Sequence, residues 1–110
     1  MMRFDIMTLF PALVDGILAE SIIGRAQKSG AIEVHTHNIR DYSADKHRRV
    51  DDTPYGGGMG MLMAAPPIVN CFEAVCGMQP AEVRRHVVYL SPRGEIFNHA
   101  MAKRFAGYDN

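Results

Sequence analysis

The sequence predicts an α/β fold, a mostly parallel sheet with flanking helices. Three observations carry that reading. Segments 3–10, 31–39 and 86–91 alternate or run continuously apolar, as strands do. Apolar residues at helical spacing lie between and after them. Strands that alternate with helices in this way are joined by crossovers, which make neighbouring strands parallel. The 110 residues suit one domain, and 47% apolar against 22% charged residues is an ordinary globular composition.

Residues 3–10 (RFDIMTLF) place Phe4, Ile6, Thr8 and Phe10 on one face of a first strand. Pro11 suits the first turn of a helix whose apolar stripe is Leu13, Val14, Ile17 and Leu18. Ser21 reads as the N-cap of a second short helix, with Ile22, Ile23 and Ala26 inward and Gly30 as its stop. In the strand at 31–39, Ile32 and Val34 share a face. After Pro66 and Pro67, the spacing of Ile68, Phe72, Val75 and Cys76 predicts a helix closing at Gly77.

The segment HVVYLS at 86–91 is near-continuously apolar, the pattern of a strand buried on both faces. Pro92-Arg93-Gly94 is a turn. Asn98 caps a last helix with Phe97, Met101 and Phe105 near one face, ended by Gly107. No strand follows that helix, and three strands make a thin parallel sheet. The expectation is therefore the N-terminal part of a larger fold.

Twelve basic residues balance twelve acidic ones, which excludes a uniformly basic nucleic-acid coat but leaves room for a local basic patch. No apolar run approaches the ~18 residues of a membrane span. Arg3 and Asp5 interrupt the apolar N-terminus, and no small-residue cleavage site follows, so a secretory signal is not expected. A soluble, cytoplasmic domain is the expectation. Cys71 and Cys76 would point about 140° apart on one helix, which argues for two buried thiols in a reducing compartment. Neither they nor the five histidines have metal-ligand spacing, and no metal site is expected. His35 and His37 share a strand face but lack a third ligand, and partly exposed strand histidines are the simpler reading. His86 and His99 read as surface residues, and Met59, Met61 and Met63 as packing residues.

Two segments could carry chemistry. From Arg40 to Thr53, eight of fourteen residues are charged, four of each sign, and PYGGGMGM follows with four glycines in five positions. Arginine forks suit phosphate oxygens, glycines let backbone N–H groups approach a ligand, and Tyr55 could stack on a base. The bland alternative is a solvated charged loop. It is not a Walker A loop, since no Lys-Ser/Thr follows the glycines. The second segment is Tyr89-Leu90-Ser91-Pro92-Arg93-Gly94, a strand end and tight turn where open parallel sheets bind ligands. Its bland alternative is an ordinary strand-to-helix turn.

Taken together, certain strings exceed composition. They are Thr8-Leu9-Phe10-Pro11, Gly24-Arg25-Ala26, Arg40-Asp41, His47-Arg48 through Val50-Asp51-Asp52 and Pro54-Tyr55-Gly56-Gly57-Gly58 to Gly60-Met61, and Tyr89 to Gly94. In that order they resemble the N-terminal half of the bacterial tRNA (guanine-N1)-methyltransferases, enzymes of the SPOUT or α/β-knot class. The resemblance covers essentially the whole chain, and the His47–Met61 segment is its most specific part.

The resemblance implies a homodimeric, S-adenosylmethionine-dependent enzyme that methylates the guanine 3′ of the tRNA anticodon. It implies cofactor binding at Tyr89, Leu90, Ser91, Pro92 and Gly94, the first of three loops of a trefoil knot. It implies tRNA or substrate contact at His47, Arg48, Asp51, Asp52, Tyr55, Gly56, Gly57 and Gly58. The family's other two cofactor loops, its C-terminal tRNA-binding domain and the aspartate that serves as general base fall after Asn110. Residues 1–110 are thus expected to be part of a SPOUT domain cut before the knot closes, with no catalytic base and little activity alone. The 40–65 loop is expected to order on ligand binding. The alternative is a non-catalytic module that binds RNA or phosphate, or only dimerises.

Overall fold

In the computed structural model, residues 1–52 and 62–110 are described. Strands β1 (Met2–Thr8) and β2 (Ile32–Asn38) pair in parallel, with Phe4 beside Val34 and Asp5 beside His35. Helices α1 (Pro11–Leu18) and α2 (Ser21–Lys28) connect them. A 3-10 turn at Ile39–Tyr42 leads into a charged loop, then into β3 (Asp51–Asp52), paired antiparallel with β4 (Leu62–Met63). Helix α3 (Ala65–Gly77) takes both prolines into its first turn, where missing N–H groups cost nothing. Helix α4 (His99–Phe105) begins at Asn98, whose Oδ1 accepts the Met101 N–H at 2.9 Å.

The alternation of β1 and β2 gives the sheet two unlike faces. Phe4, Ile6, Ile32 and Val34 lie on one, and with Leu18 and Ile23 they line an apolar hollow of about 140 Å³ beneath α1 and α2. Leu13, Ile17 and Ile22, expected to face inward, are instead on the open surface. The other face carries Arg3, Asp5, His35 and His37. The buried core is Ile39, Val50, Cys71 and Val75, with Met7, Leu9, Tyr42 and Ile68 packed against it. It joins α3 to both ends of the charged loop.

Two local expectations are corrected. Ser21 is not an N-cap. Only Ala19 and Glu20 separate α1 from α2, and the chain reversal falls on Ser21 itself, with φ 56° and no side-chain cap bond. Segment 86–91 is not a strand buried on both faces. Tyr89 and Leu90 are 88% and 87% exposed, and Val87 and Val88 are also open. The edge of β1 is taken by residues 109–110: the Arg3 N–H donates to the Asp109 carbonyl at 3.0 Å. The Asp109 N–H in turn donates to the Arg84 carbonyl, and the His86 N–H to the Asn110 carbonyl, both at 2.9 Å. Among the described residues, 84–86 reach the sheet through backbone bonds to 109–110, and 87–91 pair with no strand. Met63, expected in packing, is also exposed, while Met59 and Met61 fall outside the described residues.

The exposed apolar surface is large. The accessible area is 8514 Å², where a compact chain of this size would show about 6,000 Å². The radius of gyration is 16.0 Å against about 13 Å for a compact domain. Among the described residues, no helix is long and apolar enough to cross a membrane.

Candidate functional site

The turn after segment 86–91 is closed by two hydrogen bonds. The Gly94 N–H donates to the Ser91 carbonyl at 3.1 Å, and the Arg93 N–H to Ser91 Oγ at 3.2 Å. A Cβ at Gly94 would lie 3.3 Å from that carbonyl oxygen, a tight approach that favours glycine. Between this turn and α4 opens a cleft of about 340 Å³, within the range of small-molecule sites (roughly 300–1,000 Å³). Tyr89, Leu90, Ser91 and Gly94 line it together with Phe97 and Arg104. Pro92 shapes the turn without lining the cleft. His86, also on the lining, stacks against Phe105 and Tyr108 with ring centroids 4.7 Å away in each case. Among the described residues, Val87, Val88, Tyr89 and Leu90 make no backbone–backbone hydrogen bond.

The charged loop is organised around Asp45. Its Oδ2 accepts the His47 N–H at 2.8 Å, the Arg49 N–H at 3.3 Å and Arg49 Nε at 3.4 Å. Ser43 Oγ donates to the Arg49 carbonyl at 2.6 Å, and the Arg48 N–H to the Asp45 carbonyl at 3.0 Å. Arg48 sits at φ 55°, in the left-handed region, and its carbonyl accepts Arg40 Nη1. The loop thus presents His47, Arg48 and Arg49 on an exposed turn, with Asp51 exposed at its foot. The backbone bond from His47, helped by those from Arg49, outweighs burial and holds the Asp45 carboxyl below the usual carboxylate range. Tyr55, Gly56, Gly57 and Gly58 lie outside the described residues. Asp52 pairs through its backbone with Leu62. Among the described residues, no hydrogen bond or ion pair links the 43–51 segment to the 89–94 turn.

One polar centre was not expected from the sequence. The Asp5 side chain, 5% exposed, accepts from Arg3 at 3.0 Å, His37 at 2.8 Å, Gln79 at 3.1 Å and Asn110 at 2.7 Å. His37 is part-buried and paired with Asp5, and His35, 3.3 Å from Glu33, is more open; both fit the expectation of partly exposed strand histidines. The signal available in the sequence was the polar alternation of Arg3 and Asp5 against His35 and His37. Among the described residues, no three His, Cys, Asp or Glu side chains gather closely enough to hold a metal ion.

With this geometry in hand, comparison with known proteins is decisive at the level of the family. A family model described as tRNA (Guanine-1)-methyltransferase TrmD matches residues 2–110. The chain belongs to that family. A tRNA (guanine-N(1)-)-methyltransferase of Geobacter sulfurreducens is 52% identical over 108 residues, which are 98% of this chain and 43% of the relative. Another so named, from Thermomicrobium roseum, is 51% identical over 96% of this chain and 38% of its own length. The chain therefore spans about two fifths of these TrmD relatives. The crystal structure of a tRNA (m1G37) methyltransferase from Aquifex aeolicus superposes with a TM-score of 0.79 at 24% identity, over 98% of this chain and 47% of that one. That likeness extends to the fold of this TrmD-family chain, a small parallel sheet with helices on it.

Proposed function

We propose that this chain forms the cofactor cleft and part of the tRNA-contacting surface of an S-adenosylmethionine-dependent tRNA guanine-N1 methyltransferase, acting on the guanosine 3′ of the anticodon. The observation that carries the reading is that Tyr89, Leu90, Ser91 and Gly94, which bear the family resemblance, line the cleft beside α4. The cleft suits an adenosyl group: aromatic and aliphatic walls to cover a flat ring, and the polar groups of Ser91 and the backbone beside it to read its polar edge. When bound, S-adenosylmethionine supplies a methyl group on a positively charged sulfur.

The residues of this chain do the positioning. Leu90 and Phe97 would cover the bound cofactor, and the Ser91–Gly94 turn would fix the backbone that holds it. His47, Arg48 and Asp51, with Asp52 and the Tyr55–Gly58 segment, contact the tRNA. Methylation at N1 also needs a base to take the N1 proton, and no residue of this chain is assigned that role. We place the base, the remaining cofactor loops and a tRNA-binding domain in the three fifths of the relatives' length that this chain does not span. The open 86–91 segment and the uncovered apolar surface fit this reading, as does a cytoplasmic homodimer as the working form.

The test is a chimaera in which this chain replaces the matching 108 residues of the Geobacter sulfurreducens relative. Methyl transfer to a tRNA transcript bearing guanosine 3′ of the anticodon, and not to one bearing adenosine, is expected. A folded chimaera that binds neither S-adenosylmethionine nor tRNA would overturn the reading. Calorimetry on the chain of 110 residues by itself should give little heat with S-adenosylmethionine.

A further inference from the structure

The charged loop is anchored before it is used. Its two ends enter the core at Ile39 and Val50, both buried against α3, so its span is fixed by packing rather than by its own sequence. Between these anchors it closes on itself through side chain to backbone bonds, and Asp45 is the common acceptor. Residues 46–49 read Lys-His-Arg-Arg, three positive charges besides the histidine, of which Arg48 pairs with Asp41 at 3.3 Å and Arg49 with Asp45 at 3.4 Å. Arg48 and Arg49 are both about two-thirds exposed, at 67% and 69%. Asp45 itself is half-buried under the turn, with its carboxylate on the His47 and Arg49 N–H groups and on the Arg49 side chain.

We propose that Asp45 is a positioning residue that holds the Lys46–Arg49 turn in its RNA-binding shape before RNA arrives. The inference rests on the reading of this loop as a tRNA contact and adds to it a residue that touches no RNA. The physical case is one of conflicting signs. An aspartate beside a basic turn lowers the local positive potential, so as a bystander it opposes binding of a polyanion. Its place at the centre of the turn is explained by the three donors it gathers. Without them Arg48, held at φ 55°, would relax from the left-handed region, and the turn would have to be re-formed on binding at an entropic cost.

The opposition of signs makes the test decisive. Affinity for an unmodified tRNA transcript is measured against salt for the chimaera with the Geobacter sulfurreducens relative, taken as the parent, and for its Asp45→Ala, Asp45→Asn, His47→Ala and Arg48→Ala variants. Amide hydrogen exchange is followed in the free proteins. Positioning requires that Asp45→Ala weaken binding about fivefold, the effect of losing one capping bond, with the salt slope of the parent retained. Asp45→Asn, which still offers an oxygen to the His47 N–H, should stay within about twofold of the parent or bind more tightly. In the free protein, Asp45→Ala should speed exchange of the His47 and Arg49 amides. Equal or tighter binding by Asp45→Ala, or unchanged exchange at those amides, would overturn the inference. Failure of the underlying reading looks different: the parent does not bind, or Arg48→Ala and His47→Ala leave both affinity and salt slope as they were. Under that reading Arg48→Ala should lower the slope by about 0.7–0.9.

Discussion

His37 Nε2 lies 2.8 Å from Asp5 Oδ1, across the parallel pair β1–β2. An ionised carboxylate can only accept, so this nitrogen carries the proton. The same carboxylate accepts from Arg3, from Gln79 just beyond α3, and from Asn110. One side chain therefore ties together both strands, the end of a helix and the segment that holds residues 84–86 beside the cleft.

This centre gives a pH dependence with a definite sign. Burial pushes the Asp5 carboxyl up, but bonds from Arg3, His37 and Asn110 together outweigh it and hold it below the usual carboxylate range. The unfolded chain therefore takes up this proton first as the solution is acidified. The contribution of Asp5 is complete at neutral pH, begins to fall below about pH 4 and is lost as pH drops through the lower folded value. Asp5→Asn should cost roughly 2 kcal/mol at pH 7 and flatten the acid limb of stability. Urea unfolding of both proteins between neutral pH and about pH 2 checks this; parallel curves would contradict it.

Gly24 supplies a prediction about packing. A Cβ there would run into the Ala19 carbonyl oxygen, a backbone atom that cannot swing away. Its φ is ordinary for a helix, so the demand is for space and not for backbone freedom. Gly24→Ala should destabilise the chain by about 1–3 kcal/mol, despite the higher helix propensity of alanine. Gly16→Ala in α1, where nothing lies within 4 Å, is the control and should be neutral or stabilising. Thermal unfolding of the two variants separates the cases.

The same glycine shows what the sequence made legible. Gly24 stood out as part of a family string, yet only the close turn between α1 and α2 says why alanine fails there. The period-2 pattern of β1 and β2 was readable because one face is apolar, and Pro11, Gly30 and Asn98 marked helix ends by local chemistry. The 86–91 segment misled because apolar continuity reports what a strand would bury, not whether a neighbour is beside it. Asp5 and Asp45 were missed for a common reason. Each gathers donors whose convergence depends on strand register or loop closure, neither of which a linear pattern encodes.

The two cysteines should differ in reactivity. Cys71 is fully buried in the core, and burial, with a smaller effect from Asp41, pushes its thiol up from its ordinary value. Cys76 is half-buried on the same helix, and the two thiols are unbridged. A thiol reagent at neutral pH should label Cys76 in the native protein and reach Cys71 only on unfolding. Mass spectrometry of labelled peptides reads this directly. Labelling of Cys71 as fast as Cys76 would mean that the core around Ile39, Val50 and Val75 opens readily.

Leu90 separates function from stability. It lines the cleft, yet its side chain is almost wholly open to solvent in this chain. Leu90→Asp should therefore shift the stability of the 110-residue chain by no more than about 0.5 kcal/mol, as exposed substitutions do. In the chimaera with the Geobacter sulfurreducens relative, the same change is set, under the proposed cofactor reading, against the adenosyl group. It should weaken S-adenosylmethionine binding by at least tenfold, about 1.4 kcal/mol, because a buried charge without a partner is costly. Calorimetric titration of the chimaera, beside urea unfolding of the short chain, measures both quantities. Unchanged cofactor affinity would remove Leu90 from the cleft's binding surface, and a large loss of stability in the short chain would show that Leu90 is buried in solution.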